Sequence, residues 1–131
     1  LATVTPAAGV LGPAGAMLIG LMGGLVCYAA VSLLRVKLKV DDSLDVFAVH
    51  GVGGILGILA LPVLSSKTLG GTGDGDFVVQ LTGTLAVVVW SALVSAIILG
   101  ALKATLGLRV DTQSEIEGLD SSLHGEAAYN D

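Results

Sequence analysis

Three long stretches of the chain contain mostly apolar residues and no charged ones: residues 7–34, 46–66 and 77–102. A helix needs about 20 apolar residues to cross the roughly 30 Å of hydrocarbon in a bilayer. Pro13 lies inside the first stretch and is expected to interrupt a helix there. The pattern therefore predicts three membrane-spanning helices, at about residues 14–34, 44–66 and 77–103.

Composition agrees with a membrane protein. The 131 residues are 53% hydrophobic and 13% charged, with a mean hydropathy of +0.90, whereas soluble domains carry about 25% charged residues. Residues 1–8 are also apolar, and we interpret them as the end of a further helix. We expect a transmembrane region over residues 1–105 and a polar tail over residues 106–131. The predicted fold is an all-α, polytopic transmembrane helical bundle.

The basic residues indicate how the helices cross the membrane, because cytoplasmic loops carry an excess of lysine and arginine. Five of the six basic residues lie beyond the first span or around the end of the third: Arg35, Lys37, Lys39, Lys103 and Arg109. We therefore expect a multi-pass protein of the cell membrane, with loop 35–45 and the C-terminus in the cytoplasm.

Acidic residues mark the start of the second span. Asp42 suits the N-cap position, and Asp45, three residues later, completes a pattern close to a capping box. Both carboxylates also lie where the helix dipole favours negative charge. We interpret Asp41, Asp42 and Asp45 chiefly as helix-starting and loop-pairing residues, with Lys37 or Lys39 as candidate partners.

One ionisable side chain, His50, lies deep within the second span. It follows Asp42 by eight residues, which places it about 12 Å along a helix that rises about 1.5 Å per residue. An ionisable group at this depth is costly unless it faces protein or a cavity, so it is a functional candidate. The alternative is a buried histidine that hydrogen-bonds to a neighbouring helix.

Glycines follow His50 on the same predicted face of the helix. Gly53, Gly54 and Gly57 lie three, four and seven residues after it, which is the spacing of neighbours on an α-helix. Such a strip lets another helix approach closely. It can also leave room beside the imidazole for a narrow passage or a ligand.

Together these motifs resemble the ammonium transporter (Amt) family. The resemblance is carried by DDSLDVFAVHGVGG at residues 41–54, by TPAAG at residues 5–9, and by GLRVDTQSEIEGLDSSLHGEAAYND at residues 107–131. It implies a fragment, from the end of helix 8 through helix 11, of an eleven-helix fold with inverted repeats. It also implies a homotrimer with a pore in each subunit, and it makes His50 the second of two pore histidines.

The chemistry of ammonium suits such a histidine. A bare cation in a low-dielectric region costs on the order of tens of kcal/mol, whereas ammonia is neutral once ammonium has lost a proton. Neutral imidazole offers one donor and one acceptor, so His50 can bond ammonia and relay a proton. We expect His50, with Val46 and Phe47 one turn earlier, to line an ammonia pathway for nitrogen uptake. The resemblance implies a transporter without a cofactor or metal, and not an enzyme.

The tail is the second candidate region. Its composition favours a solvated, partly disordered extension, whereas the resemblance implies an ordered cytoplasmic tail that couples the subunits. In prokaryotic relatives this surface meets a PII signalling protein, and in plant relatives a regulatory threonine occupies the position of Ser122. The residues assigned to regulation are Gly107, Gly118, Asp120, Ser122, His124 and Gly125.

Two other functions fit parts of the pattern. A membrane b-type cytochrome also uses histidines beside glycines, and it would make the protein a haem electron-transfer subunit. Bis-histidine ligation needs a second intramembrane histidine, however, and the other histidine, His124, lies in the tail. The complete protein could also sense ammonium through its tail without substantial flux. No nucleic-acid partner is expected.

Overall fold

The computed structural model of the chain describes residues 1–73, 75–126 and 129. These residues form helices and connecting loops, and no β-strand occurs among them, so the all-α prediction is confirmed. Within the described ranges, three helices are long and apolar enough to cross a membrane: Pro13–Lys37, Phe47–Leu64 and Phe77–Thr105. Part of the predicted tail, residues 127, 128, 130 and 131, lies outside the described residues.

The first long helix consists of α1, Pro13–Ser32, and a wider π-helical turn, Leu33–Lys37. Pro13 opens the helix instead of preceding it. This is consistent with proline chemistry, because the first helical N–H has no intrahelical partner and its loss costs nothing. The last turn of the helix carries two basic residues, Arg35 and Lys37.

The second long helix begins with a π-helical segment, Phe47–Val52, which we call the histidine turn because it contains His50. It continues as α2, Gly53–Leu64. The start at Phe47 lies later than the predicted start at residue 44, because the backbone of Asp45 is left-handed, with φ 54°. The chain therefore turns at Asp45 before the helix begins.

Asp42 caps this helix from a distance. Its two carboxylate oxygens accept hydrogen bonds from the backbone N–H groups of Val46 and Phe47, both at 2.9 Å. Asp45 does not occupy the third helical position that a capping box requires, because it precedes the helix. The helix start is thus capped by one aspartate, and the reciprocal arrangement expected from the sequence is not formed.

The N-terminal segment packs between the first two long helices. It contains a short 3-10 helix, Thr5–Ala7, and Thr3 is buried with 4% of its surface exposed. A Cβ atom added at Gly23 of α1 would lie 2.5 Å from Thr3 Oγ1, and one added at Gly57 of α2 would overlap the Thr3 carbonyl oxygen. Glycines on both helices therefore make room for Thr3.

The third long helix is α3, Phe77–Thr105. Asp76 precedes it, and its carboxylate accepts a hydrogen bond of 3.0 Å from the backbone N–H of Val79. Residues 1–88 form one compact unit and residues 89–131 a second, so α3 belongs to both. The second unit also contains α4, Thr112–Glu117, and a π-helical turn, Asp120–His124.

Candidate functional site

The side chain of His50 lies in the wall of two neighbouring grooves within the first unit. The α2–α3 groove has a volume of about 410 Å³, and its lining includes His50, Gly54, Ile58, Gln80, Gly83 and Thr84. The N-terminal groove has a volume of about 640 Å³, and its lining includes His50, Val49, Gly54, Ala2, Thr5 and Pro6. His50 therefore lies where two concave, largely apolar surfaces meet.

The imidazole of His50 is exposed and has no hydrogen-bond partner within the described part of the chain. A neutral ring in this state presents one free donor and one free acceptor to the grooves. The alternative interpretation from the sequence was a histidine bonded to a neighbouring helix, and the described residues contain no such bond.

The glycines after His50 serve two purposes. Gly54 lines both grooves, and no neighbouring atom lies within 4 Å of a Cβ added there. A Cβ added at Gly53 would lie 3.0 Å from Cys27 Sγ, and Gly57 meets Thr3. One glycine therefore opens the space beside the imidazole, while the other two allow close packing on α1 and the N-terminal segment.

Val46 and Phe47 lie outside the two grooves that contain His50. The Phe47 ring lies over Gly51, where an added Cβ would be 3.0 Å from Phe47 Cδ2. The polar wall comes instead from Gln80 and Thr84 of α3. Two polar residues four apart in an apolar span share a helical face, and this spacing was the sequence signal that could have identified them.

The histidine turn is held against α1. The Cys27 thiol donates a hydrogen bond of 3.8 Å to the Val49 carbonyl, immediately before His50. The hydroxyl of Thr3, in the N-terminal segment, donates to the Ile19 carbonyl of α1 at 3.4 Å. The first contact joins the histidine turn to α1, and the second joins the N-terminal segment to α1.

The loop before the histidine turn is closed by an ion pair. Arg35 Nη1 lies 3.4 Å from Asp45 Oδ2, and the two side chains are 53% and 25% exposed. Lys37 or Lys39 was the candidate partner predicted for the loop aspartates, whereas Asp45 pairs with Arg35. An exposed pair of this kind contributes about 0–1 kcal/mol, so it serves mainly to orient the loop.

Residues 1–129 match the family model described as the Ammonium Transporter Family. The chain belongs to the ammonium transporter family. It is 42% identical to an ammonium transporter of Aquifex aeolicus, over 99% of this chain and 32% of that protein. It is also 42% identical to ammonium transporter Amt1 of Archaeoglobus fulgidus, over 98% of this chain and 34% of that protein.

An ammonium transporter of Bacillus subtilis is 35% identical over 100% of this chain and 34% of its own length. The chain therefore spans about a third of the length of these curated relatives. The resemblance found in the sequence is confirmed. Helices of membrane-spanning length are expected in a member of a transporter family, and this chain has them.

In this family member the tail forms two short helical turns. Asp111 caps α4: its carboxylate accepts from the Ser114 backbone N–H at 2.9 Å and from the Ser114 hydroxyl at 2.8 Å. These hydrogen bonds lower the pKa of Asp111 from its ordinary value. The Ser122 hydroxyl donates to the Gly118 carbonyl at 2.9 Å and to the Ser114 carbonyl at 3.4 Å. Ser122 thus links the two turns.

The remaining tail residues that the sequence assigns to regulation lie at turns or on the surface. Gly107, Gly118 and Gly125 have positive φ values of 80°, 91° and 65°, a backbone region that favours glycine. Asp120 and His124 begin and end the exposed π-helical turn. The described tail is therefore built from turns that its glycines permit.

Proposed function

We propose that the complete protein transports ammonium across the membrane and that His50 lines its ammonia pathway. The protein recruits ammonium, removes a proton, and conducts ammonia past pore histidines that can relay the proton. The main support is that His50 lines two open grooves from a helix of membrane-spanning length, with no hydrogen-bond partner for its imidazole among the described residues. Membership of the ammonium transporter family supports the choice of substrate.

The proposed pathway favours a substrate that can lose a proton and so cross the pore without a charge. A cation in a dry pore loses its hydration, which costs on the order of tens of kcal/mol unless the charge is removed. Ammonium can lose a proton and pass as ammonia, whereas potassium has no proton to lose. A neutral imidazole at His50 can hydrogen-bond to ammonia without adding a second charge to the pathway.

Transport by the full-length protein in liposomes tests this proposal. We expect His50→Ala to lower ammonium flux by up to about tenfold, because one lost hydrogen bond costs about 0.5–1.5 kcal/mol and 1.4 kcal/mol corresponds to tenfold. The matched control is His124→Ala, which removes the same side chain from the exposed tail. If His50→Ala keeps the wild-type rate, selectivity over potassium and transported charge, the pathway assignment is wrong.

We also propose that the complete protein is a homotrimer in the cell membrane, with a pore in each subunit and with loop 35–45 and the tail in the cytoplasm. The basic residues around the predicted cytoplasmic ends support this orientation. A PII signalling protein is the proposed partner of the tail. A pull-down with the PII protein of the same organism tests it, and no interaction under nitrogen-replete conditions would contradict it.

Both alternatives have direct tests on the purified protein. A Soret band in its absorption spectrum would favour haem ligation by His50 and contradict an ammonia pathway. Substantial ammonium flux in liposomes would argue against a role limited to sensing.

A further inference from the structure

The backbone of Val49, the residue before His50, is held on both sides. Its N–H donates to the Asp45 carbonyl at 2.9 Å, and its carbonyl accepts a hydrogen bond of 3.8 Å from the Cys27 thiol. Cys27 belongs to α1, whereas Val49 and His50 belong to the histidine turn, and these two elements contact each other. A side chain of another helix therefore reaches the backbone where it enters His50.

The first long helix also contacts the start of the histidine turn at a second point. Arg35, eight residues after Cys27, pairs with Asp45 at 3.4 Å, and Asp45 is the residue whose carbonyl accepts from Val49. The ion pair and the thiol contact therefore restrain one short segment, residues 45–50, against the same helix.

The sulfur of Cys27 also lies beside Gly53, the residue that follows the histidine turn. A Cβ added at Gly53 would be 3.0 Å from Cys27 Sγ and 3.3 Å from Thr3 Cγ2. Cys27 itself is half-buried. The thiol therefore lies next to the turn at two positions, one before His50 in the sequence and one after it.

The Val49 carbonyl belongs to the same planar peptide unit as the backbone nitrogen of His50. Holding that plane restricts the backbone dihedrals that aim the Cα–Cβ bond of His50, and the imidazole follows this bond. The turn is π-helical, a geometry that is rare and is frequently found at functional sites.

We propose that Cys27 is a positioning residue for His50, which holds the peptide unit between Val49 and His50 so that the imidazole lies in the ammonia pathway. The thiol touches neither ammonium nor ammonia in this role. This inference rests on the proposed function, because it names the residue of α1 that orients the pore histidine.

Ammonium flux through the full-length protein in liposomes tests this role with Cys27→Ala, His50→Ala and the double variant. A thiol is a weak donor, so we expect Cys27→Ala to lower the flux about twofold, near the lower end for one lost hydrogen bond. If Cys27 acts through His50, the double variant has the same flux as His50→Ala. Ser32→Ala is the matched control, since it removes a small polar group from an exposed position of the same helix and should keep the wild-type flux.

The double variant separates positioning from a general effect on folding. A loss of folded protein lowers flux by the same factor with or without His50, so a further twofold fall in the double variant would overturn the inference. So would wild-type flux in Cys27→Ala alongside impaired flux in His50→Ala, a result that leaves the proposed function standing. Wild-type flux in His50→Ala would contradict the proposed function itself. If Cys27→Ala fails to fold, Cys27→Ser, whose shorter side chain places the donor farther from the carbonyl, takes its place and the same comparisons decide.

Discussion

The close approach of α2 to the N-terminal segment predicts unequal effects for two glycine substitutions. A Cβ added at Gly57 would overlap the carbonyl oxygen of Thr3 and lie 2.8 Å from Pro6 Cγ. A Cβ added at Gly54, three residues earlier on the same helix, meets no neighbouring atom within 4 Å. Gly57→Ala should therefore destabilise the protein, and Gly54→Ala is the matched control.

The size of the effect follows from these contacts. Carbon atoms at optimal separation lie about 3.5–4.0 Å apart, so Pro6 must move by roughly 0.7 Å or more to admit the methyl group at Gly57. Forcing an extra carbon into a packed region typically costs about 1–3 kcal/mol. Both variants gain the same intrinsic helix preference of alanine over glycine, about 1 kcal/mol. The difference between the two variants therefore isolates the packing cost.

Reversible unfolding of the full-length protein in mixed detergent and SDS micelles measures this difference. We expect the free energy of unfolding of Gly57→Ala to lie about 1–3 kcal/mol below that of Gly54→Ala. Equal free energies would refute the reasoning, because they would mean that the N-terminal segment does not pack on α2 at Gly57.

Two further predictions concern helix starts. Asp42→Ala removes the acceptor for the N–H groups of Val46 and Phe47, so the free energy of unfolding should fall by about 1 kcal/mol; unchanged amide exchange at both residues would contradict this. Hydrogen bonds from Ser114 hold the pKa of Asp111 below the ordinary value of 3.8, so the carboxylate stabilises α4 above that value and loses its effect as pH falls through the lowered pKa. Protection of the Ser114 amide from hydrogen exchange, corrected for the intrinsic exchange rate, should decrease in the wild type as the pH falls below about 3.8. It should not decrease in Asp111→Asn. Equal protection of the wild type at pH 5 and pH 3 would count against the cap.

The existence of the long helices could be predicted from the sequence, because a stretch without charges is the main requirement for crossing hydrocarbon. The details of their ends could not. The left-handed backbone of Asp45 delays the second helix to Phe47, and no local pattern distinguishes this turn from an ordinary capping box. The pairing of Asp45 with Arg35 could not be predicted either, because several basic side chains of the loop are close enough in sequence to reach it.

The sequence by itself determined that an imidazole lies within an apolar helix of membrane-spanning length, and that glycines follow it at helical spacing. The tertiary structure alone decided that Gly54 opens the space beside His50 while Gly57 is covered by Thr3, and that Gln80 lies in the same groove. Helical periodicity specifies which residues share a face. It does not specify which neighbouring segment covers that face, since such contacts depend on residues far apart in the chain.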